Sequence, residues 1–386
     1  MTWPHLRRAL DQIQRLAGRG HDVATFFTAS GEVLHDAIPS GMEDHNLPYW
    51  YTVDPDSLLI TSVVGSDCEM SVADLMRFEY VEDDLNKVSE VLRNHRGIQT
   101  LHEVTDGDPY RSRAFRNYSS QIGVGHETLV ALRSRNGRNW GAVRLVRGQD
   151  RPGLGRPEIE FLRAASRLLA AGARRGLMIG QAWDPEGQAA PGMVVMAPDL
   201  TVSSITPPAK RLLAELADWS PGDELPAAVL TVASRIAQDP SGTADDVEVR
   251  VRSLSGSWMT LHAAPLSGED KGTVGVIVER AHPARIAPLL MDLYELTQRE
   301  RDVTGLVLQG LSTTQISARL FLSFHTVQQH LKNVFSKTGT HSRGELVSTV
   351  FYDAYDPRVT DNEGRQLIDL PIRGGPLARR DAKGCR

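Results

Sequence analysis

Residues 296–347 read LTQRERDVTGLVLQGLSTTQISARLFLSFHTVQQHLKNVFSKTGTHSRGELV, and the spacing of apolar and capping residues predicts four short helices. Val303, Leu306 and Val307 share one face of the first, and Gly310 stands where a left-handed C-terminal cap is wanted. Ser312 and Gln315 have the spacing of a capping box, with Leu311 placed to staple onto Ile316. The second helix ends near Leu320, and Phe321–Leu322 leave room only for a tight turn. Ser323 is the next cap, with Leu322 and Val327 at staple spacing again. Val327, Leu331 and Val334 follow at i, i+4 and i+7 and form the buried face of the third helix. At about 100° per residue, Gln328, Gln329 and Lys332 fall on its far side, with His325 and Ser336 beside them. Ser342 and Glu345 repeat the capping-box spacing before a fourth helix whose apolar positions are Leu346 and Val350. Three capping signals around one tight bend specify a helix-turn-helix, a unit that lays its second helix in the major groove, N-terminal end first.

The charge distribution agrees. The 386-residue chain has a net charge of −5, which by itself argues against a polyanionic partner. From Leu296 to Val350 there are six Lys and Arg (Arg299, Arg301, Arg319, Lys332, Lys337, Arg343) and three acids (Glu300, Asp302, Glu345). That stretch therefore carries +3 and the remainder −8. A basic module on an acidic body fits a small nucleic-acid-binding unit attached to something else.

Upstream, two segments alternate strand and helix patterns. In the first, residues 5–18 read as a helix, VATFFTASGEVL (23–34) as a strand, a Ser-Gly turn and a second strand, and SLLITSVV (58–65) as a strand. TLVALRSRNGRNWGAVRLV (128–146) is a hairpin with Asn136-Gly137 at its turn. Residues 157–178 are an amphipathic helix carrying Phe161, Ala164, Ala165, Leu168 and Leu169. Pro185, Gly187, Pro191 and Gly192 mark a linker over 181–192. In the second segment MVVMAP is a strand, Lys210–Leu216 a helix, VEVRVRSLSGSWMTLHAAPL (247–266) a hairpin with Ser255-Gly256 near its tip, and GTVGVIVER (272–280) a closing strand. Residues 284–295 connect it to the helical module, and the Pro-, Gly- and Arg-rich residues after Tyr355 read as a loosely ordered tail. No internal repeat stands out. Asp54, Asp56, Glu82, Asp83 and Asp84 read as solvated loops.

The C-terminal module resembles the LuxR-type helix-turn-helix. It carries that family's Leu296, Thr297, Arg299 and Glu300; Gly310, Leu311 and Ser312; Ile316, Arg319 and Leu320; Ser323, Thr326, Val327, His330, Leu331 and Asn333; and Lys337, Gly339, Ser342, Arg343, Glu345 and Leu346. It departs at Gln328, where Lys is common, at Ser317 for Ala, and at Thr340 for Val. Gln328 takes a charge from the groove-facing surface and puts any transfer of target sequence in doubt. The resemblance implies a transcription regulator binding double-stranded DNA, with Gln328, Gln329 and Lys332 at base edges and Thr313, Thr314, Ser323, His325, Thr326 and Lys337 on the backbone. The hydroxyls among these equally suit plain capping, and His330 lies near the buried face. Family members pair through the fourth helix, which makes Leu346, Val350 and Phe351 candidates for a homodimer contact, with core packing the alternative. RNA polymerase is a further expected partner.

Residues 1–180 are similar to a GAF domain and 193–283 to a PAS domain. The expected architecture is multidomain α+β: two antiparallel-sheet α/β domains, a connecting helix over 284–295, an all-α four-helix domain over 296–352 and a tail over 353–386. A small-molecule signal in the N-terminal region is part of this expectation, and no cofactor or metal is.

Other classes fare less well. No apolar run approaches the roughly 18 residues that would span a bilayer, and the basic N-terminus lacks the apolar core of an export signal, so a cytoplasmic protein is expected. Cys68 and Cys385 are the only cysteines, which speaks against a disulfide framework. G-x-x-x-x-G-K-[ST], G-x-S-x-G, H-E-x-x-H and C-x-x-C are all absent, and no nucleophile–base pair stands out, so no enzyme is expected. A sigma-factor-like protein or an adaptor that has lost DNA binding remain the alternatives.

Overall fold

The computed structural model describes residues 3–42, 48–65, 70–178, 190–216, 218, 224–238, 247–254, 256–266, 272–281 and 283–351. Cys68, Cys385, Ser255, most of the expected linker and the tail lie outside the described residues.

The first unit runs α1 (Trp3–Gly18), α2 (Val23–Ala37), β1 (Tyr49–Val53), β2 (Ile60–Val64), α3 (Val72–Tyr80), α4 (Val88–Arg93), β3 (Ile98–Thr100), α5 (Leu101–Val104), α6 (Arg113–Asn117), β4 (Val124–Arg133), β5 (Asn139–Gly148) and α7 (Arg156–Met178). The second runs β6 (Gly192–Met196), β7 (Val202–Ile205), α8 (Pro207–Leu213), α9 (Ala227–Ala237), β8 (Val247–Arg252), β9 (Trp258–Pro265) and β10 (Val274–Arg280). The helices α10 (Pro283–Leu293), α11 (Gln298–Leu308), α12 (Thr313–Leu320), α13 (Phe324–Thr338) and α14 (Arg343–Phe351) complete the chain.

Each unit builds one antiparallel five-stranded sheet, ordered β2-β1-β5-β4-β3 in the first and β7-β6-β10-β9-β8 in the second. Counted from each unit's own first strand, both orders are 2-1-5-4-3. The units therefore share a topology that the residue identities do not display. Strand pairing depends on apolar alternation and turn position, both of which many sequences satisfy. The β4–β5 turn holds Gly137 at φ 84°, the left-handed backbone its Asn-Gly pair predicted.

The first sheet is covered on both faces. Trp50, Val130, Leu132 and Val143 point into a core made with α1, α2 and α7. Their neighbours Tyr49, Tyr51, Leu129 and Ala131 point the other way, into a core continuous with the second sheet's Val249, Leu261 and Val276. Between them lies α9, AAVLTVASRIA, with nine of its eleven residues buried. A helix that is apolar all round is buried all round, and α9 packs on α3 and β2 on one side and on β8, β9 and β10 on the other.

The strand-turn-strand expected over 23–34 is instead the helix α2. Asp22 caps it, accepting the Thr25 amide at 3.0 Å. Phe26, Phe27, Ser30, Leu34 and Ala37 form its buried stripe, at helical and not alternating spacing. Phe27 stacks on Trp50 at 4.6 Å between centroids. The Phe26 ring lies over Gly172 of α7, where a Cβ would stand 2.0 Å from it. Tertiary packing of two phenylalanines overrides the β propensity of Val23, Thr25 and Thr28.

Two of the acids read as solvated are buried. Asp84 is 6% exposed and accepts the Arg113 and Ala114 amides at 3.0 and 2.8 Å, at the start of α6. Asp54 is 3% exposed and accepts Nε and Nη2 of Arg250 at 2.8 and 2.7 Å, across the junction of the two sheets.

Candidate nucleic-acid interface

The four C-terminal helices are shaped by their ends. Thr297 and Glu300 form a capping box at the start of α11, a signal present in the sequence but not among the three read there. Ser312 and Gln315 form the box expected for α12, and Gly310 takes φ 83° before it. The helix α12 then stops on Phe321 in the left-handed conformation, at φ 55°, whose amide donates to the Ser317 carbonyl. Ser323 caps α13, accepting the Thr326 amide at 3.0 Å. At α14, Ser342 accepts the Glu345 amide at 3.1 Å, while Glu345 takes the His341 amide and not that of Ser342.

Val303, Val307, Ile316, Val327, Leu331 and Val334 form the core of this unit, joined by Leu346 and Val350 of α14 and by Ala287 and Met291 of α10. Leu346 and Val350 are 0% and 1% exposed. The structure places these expected dimer residues in the protomer's own core, beneath α10. Phe351 ends α14, and its side chain lies outside the described residues.

The opposite face of α13 is open. Gln328, Gln329, Lys332, Asn333 and Ser336 are exposed, as are Phe324 and His325 at its first turn. The Gln329 amide donates to Asn333 at 3.2 Å. The helix FHTVQQHLKNVFSKT contains two lysines and no carboxylate. Apart from Phe324, its exposed face is thus polar, rich in hydrogen-bonding amides and free of repulsion toward phosphate.

The expected backbone contacts divide into two groups. Thr314, Ser323 and His325 are exposed, and Thr313 and Thr326 are half-buried. Arg343 reaches across from α14, donating to the Leu311 carbonyl at 2.7 Å and to the Thr313 hydroxyl at 2.9 Å. It fixes the start of α12, and its place in the family pattern was its only sequence signal. Lys337 is held internally, with Nζ 2.6 Å from Glu300 and 3.0 Å from the Glu295 carbonyl. Burial alone would raise the Glu300 carboxyl, but hydrogen bonds from Lys337 and Thr297 hold it below the usual glutamate range.

The match in sequence follows this geometry. Residues 294–350 match the model of bacterial regulatory proteins of the luxR family. A spore germination protein of Bacillus subtilis, GerE, is 40% identical over 52 residues, 14% of this chain and 70% of that protein. The chain belongs to the luxR family of bacterial regulatory proteins. A monoamine regulon transcriptional regulator of Klebsiella aerogenes is 42% identical over 59 residues, 15% of this chain and 26% of that protein. A Mycobacterium bovis protein named for an HTH-type transcriptional regulator is 48% identical over 69 residues, 18% of this chain and 7% of that protein. The chain thus spans a small part of the length of that relative, and the luxR match is confined to the C-terminal helices.

The luxR unit is tied to the sheets that precede it. Asp292, at the end of α10 and 0% exposed, forms ion pairs with Arg138 of the β4–β5 turn at 2.9 Å and with Arg301 of α11. Arg174 of α7 donates to the Leu293 carbonyl and lies 3.5 Å from Glu295. Neither Asp292 nor Arg174 carries a sequence signal, since each ties the luxR helices to the sheets through a partner more than 100 residues away.

Proposed function

We propose that the protein regulates transcription by binding duplex DNA with α13 in the major groove. The observation that carries this reading is the exposed outer face of α13, which presents Gln328, Gln329 and Lys332 on a helix whose other side is buried. Amides pair with adenine edges and Lys with guanine, while Thr313, Thr314, Ser323, His325 and Thr326 stand around the helix ends where phosphates pass. A second copy belongs to the reading, because two-fold operators place one such unit in each half-site. No helix among the described residues is long and apolar enough to cross a membrane.

The two sheet units are the place for a signal. A recess of about 70 Å³ opens on the first sheet, lined by Tyr49, Tyr51, Leu75, Tyr118 and the Glu127–Arg144 ion pair. At this volume, well below the roughly 300 Å³ at which drug-sized sites begin, an apolar wall with one buried charge pair suits only a ligand of a few heavy atoms. Through Asp292, Arg138 and Arg174 the occupied unit bears on α10 and so on the luxR helices.

The test is binding of the full chain to duplex DNA across a salt series. Steep weakening with salt is expected, and Lys332→Ala is expected to cost about 1–3 kcal/mol at a selected site. A chain that ignores duplex DNA at low salt overturns the reading.

A further inference from the structure

Among the exposed large apolar side chains is Phe324, 50% exposed at the first position of α13. It lies directly after the Ser323 cap and at i−4 from Gln328 and i−8 from Lys332, on the stripe that faces outward. Everything else on that stripe is polar. Phe324 is thus half in water at the end of the helix that enters the groove first, and it belongs neither to the unit's core nor to the partly buried side chains packed on it. The apolar core of the unit is already closed by Val327, Leu331 and Val334.

We propose that Phe324 recognises the C5-methyl group of thymine, so that the bases met by the first turn of α13 are selected by apolar contact and not by hydrogen bonding. The major groove has one apolar feature, that methyl group, and a phenylalanine is one of the side chains that match it. The N-terminal residues of a recognition helix are the ones that reach base edges. Phe324 has no donor or acceptor with which to read the other base edges. Gln328 and Lys332, further along the stripe, read neighbouring bases by hydrogen bonds. This inference rests on the DNA-binding reading above and adds to it the chemistry of one position in the site.

The experiment uses the full chain and duplexes recovered by selection from a random-sequence pool. Each recovered duplex is remade with deoxyuridine in place of one thymidine at a time, which removes the methyl group and leaves every hydrogen bond. At one position in each half-site the methyl loss is expected to weaken wild-type binding about four-fold, the worth of one buried methyl or methylene. Phe324→Ala is expected to bind the thymidine and deoxyuridine duplexes equally, at the wild-type level for deoxyuridine. A wild-type protein indifferent to deoxyuridine at every position overturns the inference and leaves DNA binding standing. So does a Phe324→Ala protein that still discriminates. Recovery of no duplex at all overturns the DNA-binding reading, and this inference with it.

Discussion

Arg138 at the tip of the β4–β5 turn lies 2.9 Å from Asp292, the penultimate acid before the luxR helices, and 2.6 Å from Asp56. Asp56 in turn is 2.6 Å from Arg250, which holds Asp54. Asp292 also meets Arg301 of α11. One chain of alternating charges thus passes from the second sheet through the first and into the luxR helices. Burial raises the Asp292 carboxyl above the usual range against the pull of Arg138 and Arg301, so each arginine favours its charged form.

Asp292→Asn removes the charge on which both arginines converge. The expected cost is about 1–3 kcal/mol, the range for leaving buried polar partners unsatisfied, with faster amide hydrogen exchange along α10. Exchange in residues 283–293 that matches wild type would show that the ion pairs do not hold this helix.

Arg250→Ala leaves the buried Asp54 carboxylate without its guanidinium. Breaking a buried pair from one side costs about 3–5 kcal/mol, and chemical denaturation is expected to show that loss. Arg250→Met paired with Asp54→Asn is expected to recover part of it, since no charge of the pair is then left buried and the side-chain oxygen can still accept from the backbone amides of Asp56 and Ser57.

Gln328→Lys restores a cation to the exposed face of α13. One more phosphate or base-edge contact is expected to steepen the salt dependence of DNA binding by about one counterion. Repeated site selection would show a changed preference at one base pair. An unaltered salt slope would place Gln328 away from the duplex.

Burial pushes the Asp218 carboxyl up to about 6, although the Ala227 amide donates to it. The native state then holds a proton that the unfolded chain releases near pH 3.9. Its stabilising effect is complete below about pH 3.9 and is lost as pH rises through about 6. Asp218→Asn is expected to remove that fall and to raise stability at neutral pH by up to about 3 kcal/mol. A stability profile of the same slope in both proteins would contradict it.

Phe321 is 94% exposed and sits at φ 55°, a conformation that costs a side-chain-bearing residue about 1–2 kcal/mol. Phe321→Gly loses no packing and is expected to stabilise the chain by about 1 kcal/mol in thermal unfolding.

The luxR helices were legible in the sequence because their determinants are local. Ser312, Ser323 and Ser342 act on amides three residues away, and the 3.6-residue period of Val327, Leu331 and Val334 marks a buried face without reference to any other element. The strands β2, β4, β5, β6, β8, β9 and β10 were legible for the same reason, through alternation and turns such as Asn136-Gly137, whereas β1, β3 and β7 were not; β1 is buried along its whole length and shows no alternation. What only the tertiary structure decided depends on distant partners. The residues of α2 read locally as strands and became a helix because Phe26 and Phe27 pack on Gly172 and Trp50. Asp54 looked solvated until Arg250, 196 residues later, was placed over it. Leu346 and Val350 had two possible fates, a partner's surface or the protomer's core, and the packing of α10 over α14 assigned them to the core. Local periodicity sets what an element is, and only three-dimensional packing sets what covers it.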